Sequence, residues 1–397
     1  MDRLLQIHIL LVCLLNFIFI PTLKSQPAIK SYQFESTLTD SWGLKQKLSL
    51  KIRRIVNEGR PPIILSHALV LNGRAMEKVG LKLWEQGYDV WLPNVRGHGN
   101  GEEKSTISPY RPNDYGFDEM LKEDIPLIFK RVSEITQQKV NLIGFSMGAL
   151  LWEKFLSGFV KGPSGKLIKS HSAAKERSKL VKSFIALGIP LNFKNVNPQI
   201  RLLFYPTLPL VKATHFFIPL TSNHTPGAKF PRTIKEWARR NLIRTIKPIF
   251  LQVLPLGILS REGIDVENGE FEELTYDHIS QAHTDLTYDF VRWLWNPFGS
   301  RDGRVIYSGK RPITTPTLII LGEKDYLAPF EGSKEIIKSV YPKNSVQKIL
   351  KFCKKAHVDM ILKRALSSLT ETMLEFLEHP NDFKTGNPDL SQIGDCL

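Results

Sequence analysis

The chain has 397 residues, 42% of them hydrophobic and 23% charged, with a formal net charge of +15. That balance excludes a disordered chain, and the length suits one large domain with an insertion or two domains of ordinary size. No helix-turn-helix, zinc or aromatic-basic pattern accompanies the positive charge, so no nucleic-acid partner is expected.

Residues 1–25 stand apart. Asp2 and Arg3 precede an apolar run from Leu4 to Ile20, broken by Gln6, His8 and Asn16, and Pro21–Ser25 return the chain to water. This reads as a secretory signal peptide cleaved near Ser25, with an uncleaved signal anchor as the alternative because Leu23 is large for its place before the cleavage site. The run is short for a membrane span. Cys13 is followed by more apolar residues, unlike a lipidated cysteine. Export permits a bridge between Cys353 and Cys396; the plainer reading is a buried thiol beside a strand and a frayed terminal residue.

After the leader, Tyr32–Leu38 and Leu44–Ile52 alternate around Asp40-Ser41-Trp42-Gly43 and read as an antiparallel hairpin. Short apolar runs then alternate with helical patterns. Ile63–Leu65 is a strand, Arg74–Gln86 a helix, Tyr88–Leu92 a strand, Phe117–Ile135 a helix, Val140–Ile143 a strand and Met147–Phe159 a helix. This order predicts a mostly parallel, doubly wound α/β sheet. Lys161, Lys166, Lys169, Lys175, Arg177, Lys179 and Lys182 crowd the next stretch, opposed by Glu176. Such a run suits peripheral contact with an anionic membrane, although a solvated loop is the plainer reading.

A strand at Ser183–Gly188 follows, and then the rhythm stops. Residues 190–310 are rich in proline, aromatic and helical stretches, so the expected organisation is a core at 26–189, a helical cap or lid insertion at 190–310, and a second core part at 311–397. Thr317–Leu321 restores the pattern, followed by a helix near Gly332–Ser339, a strand at Val346–Phe352 and a closing helix at Val358–Leu377.

The strongest chemical signal is Gly144-Phe145-Ser146-Met147-Gly148. The motif is weak alone, but here it follows a strand and opens a helix. A serine lifted above a sheet edge on such a turn has no room for side chains two positions away, which Gly144 and Gly148 satisfy. A nucleophilic serine needs a base and the base an orienting acid. Asp325, in Gly322-Glu323-Lys324-Asp325, and His357, in Lys355-Ala356-His357, follow the last two strands in the required order; Glu323 is the fallback acid. Asp359 reads as a helix-start residue. His171, His278, His283 and His379 fit less well. Backbone N–H groups of Met147 and of Leu69, in Ser66-His67-Ala68-Leu69, are the candidate oxyanion donors, with Ala68 next and His67 as a brace for the loop. No metal or organic cofactor is required.

Gly87-Tyr88-Asp89-Val90-Trp91-Leu92-Pro93-Asn94-Val95-Arg96-Gly97, Phe117-Asp118-Glu119-Met120 and Ala356-His357-Val358-Asp359 resemble the acid-lipase (gastric and lysosomal lipase) branch of the α/β-hydrolase superfamily. The resemblance covers roughly residues 60–190 and 315–375. It implies an α/β-hydrolase fold, a triad of Ser146, Asp325 and His357, and lipid or other ester substrates. Arg96-Gly97-His98-Gly99 is the commoner superfamily form of its loop, and Phe145-Ser146-Met147 replaces the His-Ser-Gln usual in acid lipases.

Leu202–Tyr205, Leu208–Val211, His215–Leu220 and Ile249–Leu254 are strongly apolar and suit an acyl pocket under a movable lid. The rival readings are an acyltransferase, thioesterase or amidase on the same fold, and a non-catalytic membrane-surface binding protein. The complete triad argues against the last.

Overall fold

The computed structural model describes residues 26–193 and 276–393, apart from short stretches within them; the leader, most of the expected cap and Cys396 lie outside the described residues. Among the described residues the strands β1 (Ile29–Thr39), β2 (Lys45–Ile55), β3 (Pro62–Ser66), β4 (Asp89–Pro93) and β5 (Thr106–Ser108) are followed by β6 (Val140–Phe145) and β9 (Val181–Leu187), and later by β10 (Thr317–Gly322), β11 (Gln347–Phe352) and β12 (Gln392–Ile393). They form one sheet in the order β1-β2-β4-β3-β6-β9-β10-β11-β12, with β5 beside β2. From β4 to β12 every pairing is parallel, while β1, β2 and β5 are antiparallel additions.

The central strands are buried on both faces, which is why they read as continuous apolar runs rather than alternating ones. Their side chains divide between two cores. Ile64, Leu142, Ala186 and Ile319 enter one, packed under α3 (Ile125–Thr136) and α4 (Met147–Leu156). Ile63, Ile143, Ile185 and Leu318 enter the other, beneath α1 (Glu77–Glu85) and α8 (Lys363–Glu378).

The helical run predicted from Phe117 holds a π turn at Met120–Asp124 between α2 (Phe117–Glu119) and α3. Pro126 accounts for it: lacking an N–H and crowding the carbonyl four residues back, it forces the helix to widen. The π turn carries Asp124, which accepts the Arg96 backbone N–H and Nε–H, both at 2.7 Å, in the buried centre.

Two expectations are corrected. The helix after Ser146 stops at Leu156 rather than Phe159, because Gly158 turns the chain with φ +88° and any side chain there would meet the Ser170 carbonyl. The basic stretch is structured, not a loop: β7 (Phe159–Lys161) and β8 (Leu167–Lys169) form a hairpin, followed by α5 (His171–Leu180), where Ser170 Oγ accepts the Ala173 N–H. Only Ala174 is buried in α5, so no apolar period marked it.

The end of the insertion joins the main core. Trp293 of α6 (Thr284–Trp293) and Tyr307 pack against Phe117, and Phe298 packs against both of them. Arg301 donates to Asp289, whose carboxylate also accepts the Phe117 N–H, and to the Asp285 carbonyl. Tyr307 O–H and Arg301 N–H both donate to Asp118. Cys353, just past β11, is disulfide-bonded, which removes the reading of it as a plain thiol; its partner lies outside the described residues. No helix among the described residues is long and apolar enough to cross a membrane.

Candidate active site

The chain runs from β3 to β4 on one side and then crosses back to β6 on the other. The carboxyl ends of β3 and β6 therefore flank a topological switch point, where open α/β sheets present a crevice. Ser146 stands there, between Phe145 at the end of β6 and Met147 at the start of α4. Its backbone is held at φ 52°, ψ −112°, a strained conformation for a residue with a side chain, and its N–H bonds the Leu187 carbonyl at 2.8 Å. A Cβ on Gly144 would lie 2.4 Å from Ala149 N, and one on Gly148 would lie 2.7 Å from Ser66 O. Both contacts are with backbone, so neither position has room for a side chain.

His357 Nε2 lies 2.9 Å from Ser146 Oγ, and His357 Nδ1 lies 2.7 Å from Asp325 Oδ2. With Nδ1–H donating to the carboxylate, Nε2 faces the serine hydroxyl as an acceptor. The other Asp325 oxygen, Oδ1, accepts the Leu327 and Ala328 N–H groups at 2.9 and 2.8 Å, which fixes the carboxylate. All three residues are buried. Glu323 instead accepts the Lys354 N–H and faces Lys351, away from this chain of contacts. Asp359 accepts the Ala356 N–H at 2.9 Å at the start of the turn Val358–Ile361.

Sequence reasoning missed what supports the imidazole. The Phe145 ring lies 5.1 Å from it, and a Cβ on Gly188 would sit 3.1 Å from its Nδ1. The glycine just past β9 was the available signal.

The loop after β3 is held from both sides. Ser66 Oγ accepts the buried Trp152 Nε1–H at 2.8 Å. The Ala68 carbonyl lies 2.8 Å from His67 Nδ1 and accepts the Leu71 N–H at 3.2 Å, and the Leu69 carbonyl lies 2.8 Å from His98 Nε2. Burial and the neighbouring His98 push the His67 pKa down to about 3, so it is neutral and donates through Nδ1. The Ala68 C=O and the Leu69 N–H belong to one peptide unit. In a trans peptide they point in opposite directions, so fastening the carbonyl also fixes the direction of the Leu69 N–H.

A returning segment clamps the same loop. Asn72 donates to the His278 and Asp277 carbonyls, Ser280 N–H to the Val70 carbonyl, and Gly99 N–H to Ser280 Oγ. His278 thus approaches the site through its backbone. His171 is exposed on α5, His379 ends α8, and His283 is outside the described residues. Among the described residues, no group of His, Cys, Asp and Glu is arranged to hold a metal.

Comparison with known proteins agrees with this architecture. A family profile described as "alpha/beta hydrolase fold" matches residues 61–157. An esterase from Exiguobacterium antarcticum superimposes with a TM-score of 0.51 over 86% of this chain and 99% of its own, at 17% identity. A thermophilic esterase from Thermogutta terrifontis does so with a TM-score of 0.50 at 14% identity, over 88% and 99%. The protein has the α/β-hydrolase fold. The chain is also similar to curated lipases. It is 33% identical to a probable lipase of Schizosaccharomyces pombe over 23% of this chain and 22% of that one. To human lipase member N it is 31% identical, over 34% and 32%. Bovine gastric triacylglycerol lipase is 32% identical over 23% and 25%. The chain thus matches a third or less of the length of each of these relatives, and the match carries the acid-lipase resemblance locally.

Proposed function

We propose that the protein hydrolyses carboxylic esters by acyl transfer through Ser146. The observation that carries this reading is the unbroken path Ser146 Oγ–His357 Nε2 and His357 Nδ1–Asp325 Oδ2, at 2.9 and 2.7 Å, on a strained strand-to-helix turn. Ser146 Oγ attacks the ester carbonyl while His357 Nε2 takes its proton, and Asp325 holds the imidazolium that forms. The Leu69 and Met147 N–H groups receive the oxyanion. His357 returns the proton to the departing alcohol. It then deprotonates a water that attacks the acyl-enzyme, and the acid leaves as Ser146 regains its proton.

The relatives' names favour lipid or other apolar acyl esters. The proposed cap at 190–310 lies between β9 and β10, and its returning end touches the loop that carries Leu69. The disulfide at Cys353 favours an oxidising compartment, and with it a leader at 1–25 and export.

A fluorophosphonate probe that labels the folded protein but not Ser146→Ala, with turnover of p-nitrophenyl esters, is the expected result. Folded protein that neither labels nor turns over esters would sink the proposal. Chain-length preference then tests the substrate class: strong preference for short acyl groups counts against a lipase.

A further inference from the structure

The far end of the molecule carries a surface that ester chemistry does not use. Among the described residues, large hydrophobic side chains remain exposed there at Ile168 on β8 (41%), Leu180 at the end of α5 (52%) and Ile306 before β10 (57%). The three elements are joined. Lys169 Nζ donates to the Lys310 carbonyl, the Ser170 N–H bonds the Gly158 carbonyl, and Arg177 lies 3.8 Å over the Phe155 ring while donating to the Phe159 carbonyl.

Positive charge is in excess on this surface. Glu123, Glu176 and Asp302 are each engaged, by Lys161, Lys179 and Arg304. Exposed Lys166, Lys175 and Lys310 add to these cations. Lys166 and Ile168, two apart along the hairpin, face the same way, with Val160 opposite Ile168 on the partner strand.

The placement follows from α4, which leaves Ser146 and runs down to Leu156. At 1.5 Å per residue, the hairpin lies roughly 15 Å below the nucleophile. It sits toward the amino ends of the parallel strands, where α5 leads directly into β9 and Phe184 N bonds the Pro316 carbonyl.

We propose that this face docks the protein on an anionic phospholipid bilayer, with the Ser146 end turned away from the membrane. Lysines near an anionic leaflet each strengthen binding roughly fivefold. Isolated apolar side chains among them enter the headgroup boundary, and lysine stems cover the space between. A nucleic acid or other polyanion would engage the charge but leave Ile168, Leu180 and Ile306 in water, so lipid fits the combination better. The inference rests on exposure and charge, and is independent of the hydrolytic reading.

The test is co-sedimentation of the full chain with phosphatidylcholine vesicles, with and without phosphatidylserine, alongside heparin binding. Phosphatidylserine should strengthen binding. The set Lys166→Glu, Lys175→Glu and Lys310→Glu should weaken it on the order of a hundredfold. The pair Ile168→Ser and Ile306→Ser should weaken it too. Soluble-ester turnover should stay at wild-type level in both variants. Vesicle binding that both sets leave unchanged, indifference to phosphatidylserine, or heparin binding without vesicle binding would overturn the proposal. Absence of ester turnover in the wild type would count against the hydrolase alone.

Discussion

Asp325 and His357 come within 2.7 Å of each other because two neighbouring parallel strands end side by side. Gly322 pairs with Phe352 at the ends of β10 and β11, so the two loops leave the sheet abreast. The Glu323 N–H to the Phe352 carbonyl and the Lys324 N–H to the Lys355 carbonyl stitch them together. Gly322 permits the approach, since a Cβ there would meet Lys355 O at 2.4 Å.

Asp325→Asn keeps this packing but offers an N–H or a neutral oxygen where a carboxylate stood. The imidazole then loses its preferred tautomer and its counter-charge. We expect kcat to fall by about 10⁴ with the fold intact. Steady-state kinetics with near-ultraviolet circular dichroism checks both parts.

At Ser146 the backbone conformation favours glycine, while the proposed acyl transfer requires a hydroxyl. Ser146→Gly should therefore be more stable than Ser146→Ala, by about 1 kcal/mol, with both inactive. Urea midpoints of the two variants decide it; equal midpoints would mean that the turn holds no strain.

In the proposed site, His67 positions the Leu69 N–H through the Ala68 carbonyl, 2.8 Å from its Nδ1. His67→Phe keeps a ring against His98, now 4.7 Å away, but removes the Nδ1 donor. The expected result is a fall in kcat of about tenfold to a hundredfold with KM little changed, below the loss for removing an oxyanion donor itself. Since His67 stays neutral down to about 3, the variant's pH profile should keep its shape. A change confined to KM would place the role elsewhere.

Burial, with Glu119 and Asp289 nearby, raises the Asp118 pKa from 3.8 to about 6. The folded protein then binds a proton that the unfolded chain has already released. The contribution of Asp118 is greatest below about pH 4 and declines as pH rises to about 6. The difference is about 3 kcal/mol as an upper bound. Asp118→Asn should flatten this part of the stability profile, read as urea midpoints across that window. An unchanged slope would assign it to other groups.

The strand-to-helix turn at Ser146 and the central strands were legible in the sequence because their signals are local. Two glycines flank a serine between an apolar run and a helix, and buried parallel strands carry unbroken apolar residues. The loops holding Asp325 and His357 could be named for the same reason, each following its own strand. Tertiary structure alone decided the rest. The basic stretch became a hairpin and a helix with almost no buried face to give it a period. Asn72 meets Asp277 across 205 positions, and Tyr307 meets Asp118 across 189. No spacing or propensity records such pairs. The same holds for Asp325 and His357: sequence order named them, but only the register of β10 against β11 brings carboxylate and imidazole within 2.7 Å.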